Sequence, residues 1–242
     1  MAVTADAADL RSFLDKWRAQ WPGWDVVQVF VPLSERDMAM AWFALLEEWR
    51  QAALGGDDPA PGLAKLAWWQ EELRGWARGA RRHPLGAALQ RQSADWAGLA
   101  DGLSVWRHRE QLQDDARTFA EAIMPFAQAA AAVETALWPG RDVSTSDMSI
   151  WLLAQAVLHG QSTAVADEVL MQWPGAGRAS AARRQWAALQ HSALRGLNAT
   201  SRRRGRLQAL RWLWSGWRAA RNAALPRSGQ GGGVRIDTMR GP

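Results

Sequence analysis

The sequence predicts an all-α protein built as one domain. Apolar residues recur at helical spacing along nearly all of the 242-residue chain. The segments between these runs are short and rich in proline and glycine. Alternating strand and helix patterns, which would mark a nucleotide-binding α/β fold or a barrel, are missing. Hydrophobic residues make up 48% of the chain, enough for one large core without disulfides or a structural metal. Residues 1–227 are expected to form the helical domain. Residues 228–242, a Gly-rich tail without a core-forming pattern, are expected to be disordered.

The helices follow in order. A first one is predicted over 6–20, stopped by Trp21-Pro22-Gly23. VVQVFVPL (26–33) has β-branched content with no second strand to pair with, so it reads as an extended lead-in or a short helix. Ser34, with Asp37 three residues on, is an N-cap arrangement opening a helix from about 35 to 54. The breaker-dense loop GGDDPAPG ends it. In KLAWWQEELRGWARGARRHPLGAAL (65–89), Leu66, Trp69, Leu73 and Trp76 share one helix face, and Trp68 flanks it. Further helices are predicted over 84–92, 94–113, 116–138 with a kink at Pro125, 146–159, 162–172, 178–196 and 203–223. No internal repeat is present.

Composition removes several functional classes. The chain has no cysteine, which excludes thiol catalysis, disulfides and zinc-thiolate sites. Its four histidines (His83, His108, His159, His191) are scattered, with no helical metal-site spacing. There is no phosphate-binding loop and no G-x-S-x-G. The net charge of +5 is carried almost wholly by arginine, which fits the bias of a GC-rich bacterial genome better than nucleic-acid binding. No nucleic-acid partner is expected. The first residues hold acidic side chains and no apolar run, and no apolar stretch reaches the ~18 residues of a membrane span, so a cytoplasmic protein is expected. Seventeen tryptophans with no tyrosine are expected to serve packing, some standing where relatives carry Tyr.

The segment KLAWWQEELRGWARGARRHPLGAAL resembles one found in squalene and phytoene synthases, where an (R/K)-L-x-W-W-x-x-E-L helix precedes a basic turn with His-Pro. VPLSERDMAMAWFALLEEW, LADGLSVW, ARTFAEAIMPFAQAAAAVETALWPG and ALRWLWSGWRAARN are similar to other segments of that family, in the same order, over about residues 30–222. The resemblance implies a helical bundle of the isoprenoid synthase type with a central cavity for prenyl chains. It also implies Mg²⁺ held by two facing aspartate-rich helices, which neutralises the leaving diphosphate.

At the positions implied for the first aspartate-rich motif, the chain reads Arg50-Gln51-Ala52-Ala53-Leu54. A cation, an amide and apolar residues cannot bind Mg²⁺. The second motif falls in IWLLAQAVLHGQSTAVADEVLM, where Gln155 matches the pattern, no Arg-Asp follows, and Asp167-Glu168 are out of register. Ser104 and Trp106 stand where the Asp-Gly segment would have later acidic residues. Asp57-Asp58 lie in a Gly/Pro loop, and Glu110 with Asp114 has the right spacing but reads as a solvated helix face. No catalytic residue is therefore assigned, and no cofactor is expected.

The expected role is a catalytically inactive relative of those synthases, binding a prenyl-type ligand or a protein partner. An active Mg²⁺-dependent prenyl transferase would have to use rearranged carboxylates, Glu47, Glu48, Glu110 or Asp114, of which Glu47 and Glu48 read as ordinary helix-surface residues. A third reading rests on SRRRGRLQALRWLWSGWRAARNAALPR. Arg202, Arg203, Arg204 and Arg206 precede a stripe of Leu207, Leu210, Trp214 and Trp217, a basic amphipathic helix suited to an anionic membrane surface. That would make the protein peripheral to the inner membrane. The alternative is that the stripe packs on the bundle and leaves only a basic face in water.

Overall fold

The computed structural model describes residues 2–107, 116–160, 163–175, 178–198 and 206–224, and no strand occurs among them. The helices are α1 (Ala2–Gln20), α2 (Gly23–Val27), α3 (Arg36–Leu54), α4 (Ala60–Ala77), α5 (Gly86–Leu89), α6 (Trp96–Gly102), α7 (Ala116–Leu137), α8 (Thr145–Gly160), α9 (Thr163–Met171), α10 (Ala181–Asn198) and α11 (Arg206–Ala224). The all-α expectation holds. α7 continues through Pro125, whose ring is exposed. The predicted disordered tail, 228–242, lies outside the described residues.

Of the two forms expected for VVQVFVPL the chain takes the helical one, with α2 followed by a 3-10 turn at Gln28–Phe30, while two other local expectations are corrected. Val31 is extended (φ −106°, ψ 131°), as expected for a residue preceding proline, and Pro32 continues that course (φ −52°, ψ 137°). Ser34 is not a cap: a 3-10 turn over Leu33–Glu35 runs into α3, and Glu35 stands at the N-cap without a side-chain cap bond. Its carboxylate instead accepts from Trp138 Nε1 at 2.9 Å. The helices predicted over 84–92 and 94–113 are much shorter. α5 is a single turn. α6 begins at Asp95, which accepts from the Gly98 N–H at 2.8 Å, and tightens after Gly102 into a 3-10 stretch over Leu103–Arg107. That tighter winding buries both Leu103 and Trp106 beneath α7.

Aromatic rings fill the centre. Trp24, Trp42, Trp49, Trp69, Trp76, Trp106 and Trp186 are each at most 2% exposed, so the tryptophan excess is mostly core. One group joins α1, α2, α3 and α10: Phe43 stacks on Trp186 at 5.2 Å, and Trp17 and Trp24 pack around that pair. A second joins α3, α4, the 3-10 stretch and α7, running from Trp69 to Trp49 (6.0 Å), Phe126 (5.7 Å) and Trp106 (5.5 Å), all edge to face. Between these groups the buried Arg183 guanidinium pairs with Glu134, which also accepts from Trp42 Nε1 at 2.8 Å. Arg183 lies 4.8 Å over Phe43 and 4.9 Å over Trp151, so this polar contact is enclosed by rings.

Candidate functional site

The paired-Trp segment is a structural junction. Leu66, Trp69, Leu73 and Trp76 are buried as one face of α4, and Trp68 flanks it half-buried. Glu72, missed as a structural residue in the sequence, is 1% exposed. It accepts from Trp76 Nε1 (2.8 Å), the backbone N–H of Arg82 (2.7 Å) and His83 (2.8 Å), and Arg82 Nε (2.9 Å). Burial acts to raise the Glu72 pKa, but these donors outweigh it and hold the carboxyl below its ordinary value. Its spacing of four residues before Trp76 was the available signal. Gln70 ties the same helix outward, donating to the Ala100 carbonyl at 3.0 Å and accepting from Arg107 at 2.6 Å.

The end of α3 is closed by ion pairing. Arg50 is 4% exposed, and its Nε donates to Glu47 at 3.1 Å. Gln155 of α8 donates to the same carboxylate at 2.9 Å. The expectation that Glu47 and Glu48 are ordinary surface residues is therefore corrected. Glu47 is only 13% exposed and Glu48 19%, because their helix face is covered, and Glu48 pairs with Lys65. Arg50 Nη1 is buried without a hydrogen-bond partner in the chain, so this site has a spare donor where a metal would need an acceptor. Gln51 faces solvent and Leu54 is half-buried.

The remaining acidic candidates do not converge. Asp57 and Asp58 are exposed, and Asp58 accepts from the Ala60 N–H at 2.9 Å as α4 begins. Asp167 is exposed and Glu168 half-buried on α9. Ser104 donates to the Asp101 carbonyl, while Trp106 is core. Glu110 and Asp114 lie outside the described residues. Among the described residues, no three His, Asp or Glu side chains gather as a metal-ligand group.

α11 presents the clearest surface feature. Its inner side carries Trp212 and Gly216 against α2, the following 3-10 turn and α10. A Cβ on Gly216 would stand 2.7 Å from Gln185 Oε1 and 3.1 Å from the Phe30 ring, so a larger residue would displace both side chains from this close approach. Seating that side turns the expected stripe outward. Leu210 is 60% exposed, Leu213 44%, Trp214 59% and Trp217 38%. Trp214 stacks on Trp217 at 5.0 Å, and the Arg221 guanidinium lies 4.5 Å over Trp217. Arg211 and Arg218 are exposed beside them. α11 does pack on the bundle with a basic face in water, but it does so through Trp212 and Gly216, while Leu210, Trp214 and Trp217 of the stripe face outward; the side chain of Leu207 lies outside the described residues. Arg202, Arg203 and Arg204 lie outside the described residues, as does the side chain of Arg206.

Two concavities border these elements. One, of about 410 Å³, lies among α8, α10, α11 and the segment after α9, with Trp151, Trp173, Arg184, His191, Arg218 and Arg221 in its wall. The other, of about 440 Å³, is a groove beside α4 lined by Glu71, Glu72, Arg74, Arg78, Arg81 and Arg82. Sequence reading had not singled out Arg184 or His191, since no local pattern unites residues from α10 and α11. No helix among the described residues is long and apolar enough to cross a membrane. No family model, curated protein or solved structure matches this chain.

Proposed function

We propose that this chain is a non-catalytic helical protein, with a scaffold like that of squalene and phytoene synthases, that works at an anionic lipid surface through α11. The observation that carries this reading is the outward face of Leu210, Leu213, Trp214 and Trp217, set among Arg211, Arg218 and Arg221. A helix with exposed rings on one side and arginines around them matches the border between headgroups and acyl chains, where Trp is favoured and cations meet anionic lipid. Arg202, Arg203, Arg204 and Arg206 add charge next to that face in the sequence. The non-catalytic part rests on the helix end where metal-binding carboxylates would be required. There Glu47 is already engaged by Arg50 and Gln155, and a guanidinium beside a diphosphate-metal site would compete for every carboxylate brought to it.

Vesicle co-sedimentation tests the reading. The protein should bind vesicles containing phosphatidylglycerol and ignore pure phosphatidylcholine. Trp214→Ala with Trp217→Ala should weaken binding by about tenfold or more, as expected when two half-exposed rings no longer reach the interface. Neutralising Arg202, Arg203, Arg204 and Arg206 should weaken it further at low salt. Binding that is unchanged in both variants removes the lipid role. Metal-dependent release of diphosphate from farnesyl or geranylgeranyl diphosphate would overturn the non-catalytic part.

A further inference from the structure

The cavity among α8, α10 and α11 has a chemistry that the docking face alone does not explain. Its volume of about 410 Å³ suits a small molecule. Arg184 of α10 and Arg218 of α11 line it, and among the described residues no carboxylate does; Arg221 also borders it, but its guanidinium lies over Trp217 on the outer face. Arg184 Nη1 donates to the Ala179 carbonyl at 2.5 Å, which fixes the guanidinium, while its Nε is buried without a hydrogen-bond partner in the chain. That Nε is out of reach of the cavity, so it is the remaining guanidinium surface of Arg184, with Arg218, that would meet an anionic oxygen there. Trp151 and Trp173 add aromatic surface to the same wall.

We propose that this cavity binds a phosphomonoester bearing an apolar group, its phosphate held by Arg184 and Arg218 and its apolar part set against Trp151 and Trp173. A phosphate dianion presents enough oxygens for several guanidinium groups at once. His191, in the same wall, is pushed below the ordinary imidazole value by burial first and by Arg195 and Arg218 next. It therefore stands neutral at pH 7 as a hydrogen-bonding group. Two sources carry this chemistry, a soluble phosphomonoester and the headgroup of a phosphatidic-acid-type lipid. The lipid source rests on the reading of α11 as a membrane-docking helix. At about 100° per residue, Ser215 and Ala219 turn to the cavity, Trp214 and Trp217 turn to the outer face, and Arg218 stands between them. A headgroup in the cavity would thus lie beside the docking face.

Calorimetric titration of the full chain with phenyl phosphate, inorganic phosphate and phenol tests the cavity. Saturable binding is expected for phenyl phosphate, weaker binding for phosphate, and none for phenol. Arg218→Gln, at an exposed position, should weaken phenyl phosphate by at least tenfold without changing the thermal midpoint. Trp214→Ala with Trp217→Ala should leave it unchanged while removing vesicle binding, so failure of the docking face and failure of the cavity are separable. Preference for phosphatidic acid over phosphatidylglycerol vesicles, lost in the arginine variant, identifies the lipid source. Phenyl phosphate binding without that preference identifies the soluble one. Absence of saturable phenyl phosphate binding, or binding indifferent to the arginine variant, overturns the proposal.

Discussion

Single residues in this protein carry polar work inside an aromatic interior. Arg183 and Glu134 are each 1% exposed, and Trp42 completes the carboxylate's hydrogen bonding. Deleting one member strands the other charge among rings, where desolvation is no longer offset. Arg183→Met is therefore expected to lower unfolding free energy by about 3–5 kcal/mol. Pairing it with Glu134→Gln should recover part of that loss, and chemical denaturation of the single and double variants measures the difference. An additive double variant would show that the pair is not coupled. Glu72 is a different case, because its partners include backbone groups of the turn at Arg82 and His83. Glu72→Ala removes the acceptor from those part-buried donors and should cost about 1–3 kcal/mol. It should also expose the Arg81–Arg82 segment to proteolysis, a readout that Glu71→Ala, at an exposed position, would not move.

At the scale of elements, close backbone approach decides what can be substituted. Gly62 begins α4 against the end of α3, and a Cβ there would stand 1.9 Å from the Ala52 carbonyl oxygen. Backbone cannot yield as a side chain can, so Gly62→Ala should separate the two helices and lower the thermal midpoint by several degrees. A midpoint within one degree of the native protein's would sink this account. The core face of α4 was legible because Leu66, Trp69, Leu73 and Trp76 follow helical spacing in a run long enough to show it. The ends of α5 and α6 were not, because Gly102 and the burial of Leu103 and Trp106 tighten the chain through contacts with α7 that local pattern does not contain. The stripe on α11 was legible as a stripe, but not its direction. Periodicity says which residues share a face, and only Gly216 meeting Phe30 and Gln185 shows that the other side is the one seated. For the same reason Glu47 and Glu48 read as surface until Gln155 and Lys65 were brought to them from other helices.

For the whole molecule, the histidines set how stability responds to acid. Partial burial pushes His83 and His191 below the ordinary imidazole value in the folded chain, and His159 shifts the same way but is exposed, so water screens most of its effect. For His83 the packing against Trp69 (4.5 Å) and Phe13 (4.9 Å) outweighs the pull of Glu48 and Glu72 upward. His159 is lowered further by Arg50, and His191 by Arg195 and Arg218. A histidine whose folded pKa is depressed takes up its proton more readily when unfolded. Stability therefore falls as pH drops below the unfolded value of about 6.5, and continues to fall until the folded pKa is passed. Glu72 acts in a lower window. Its depressed pKa contributes stability that is fully present above the unfolded carboxyl value and lost as pH falls through the folded one. With 29 basic residues against 24 acidic ones, protonating carboxylates also builds net positive charge and self-repulsion in that lower window. Denaturation at fixed ionic strength should thus show a plateau near neutral pH, a first decline beginning near pH 6.5 and a steeper one at carboxylate pH. His83→Gln can still accept from the Leu85 N–H that now bonds the His83 ring at 3.2 Å. It should flatten the first decline and leave the second in place. Stability that stays level from pH 7 to 5, or a first decline that persists unchanged in this variant, would show that the buried imidazole beside Trp69 does not govern the response.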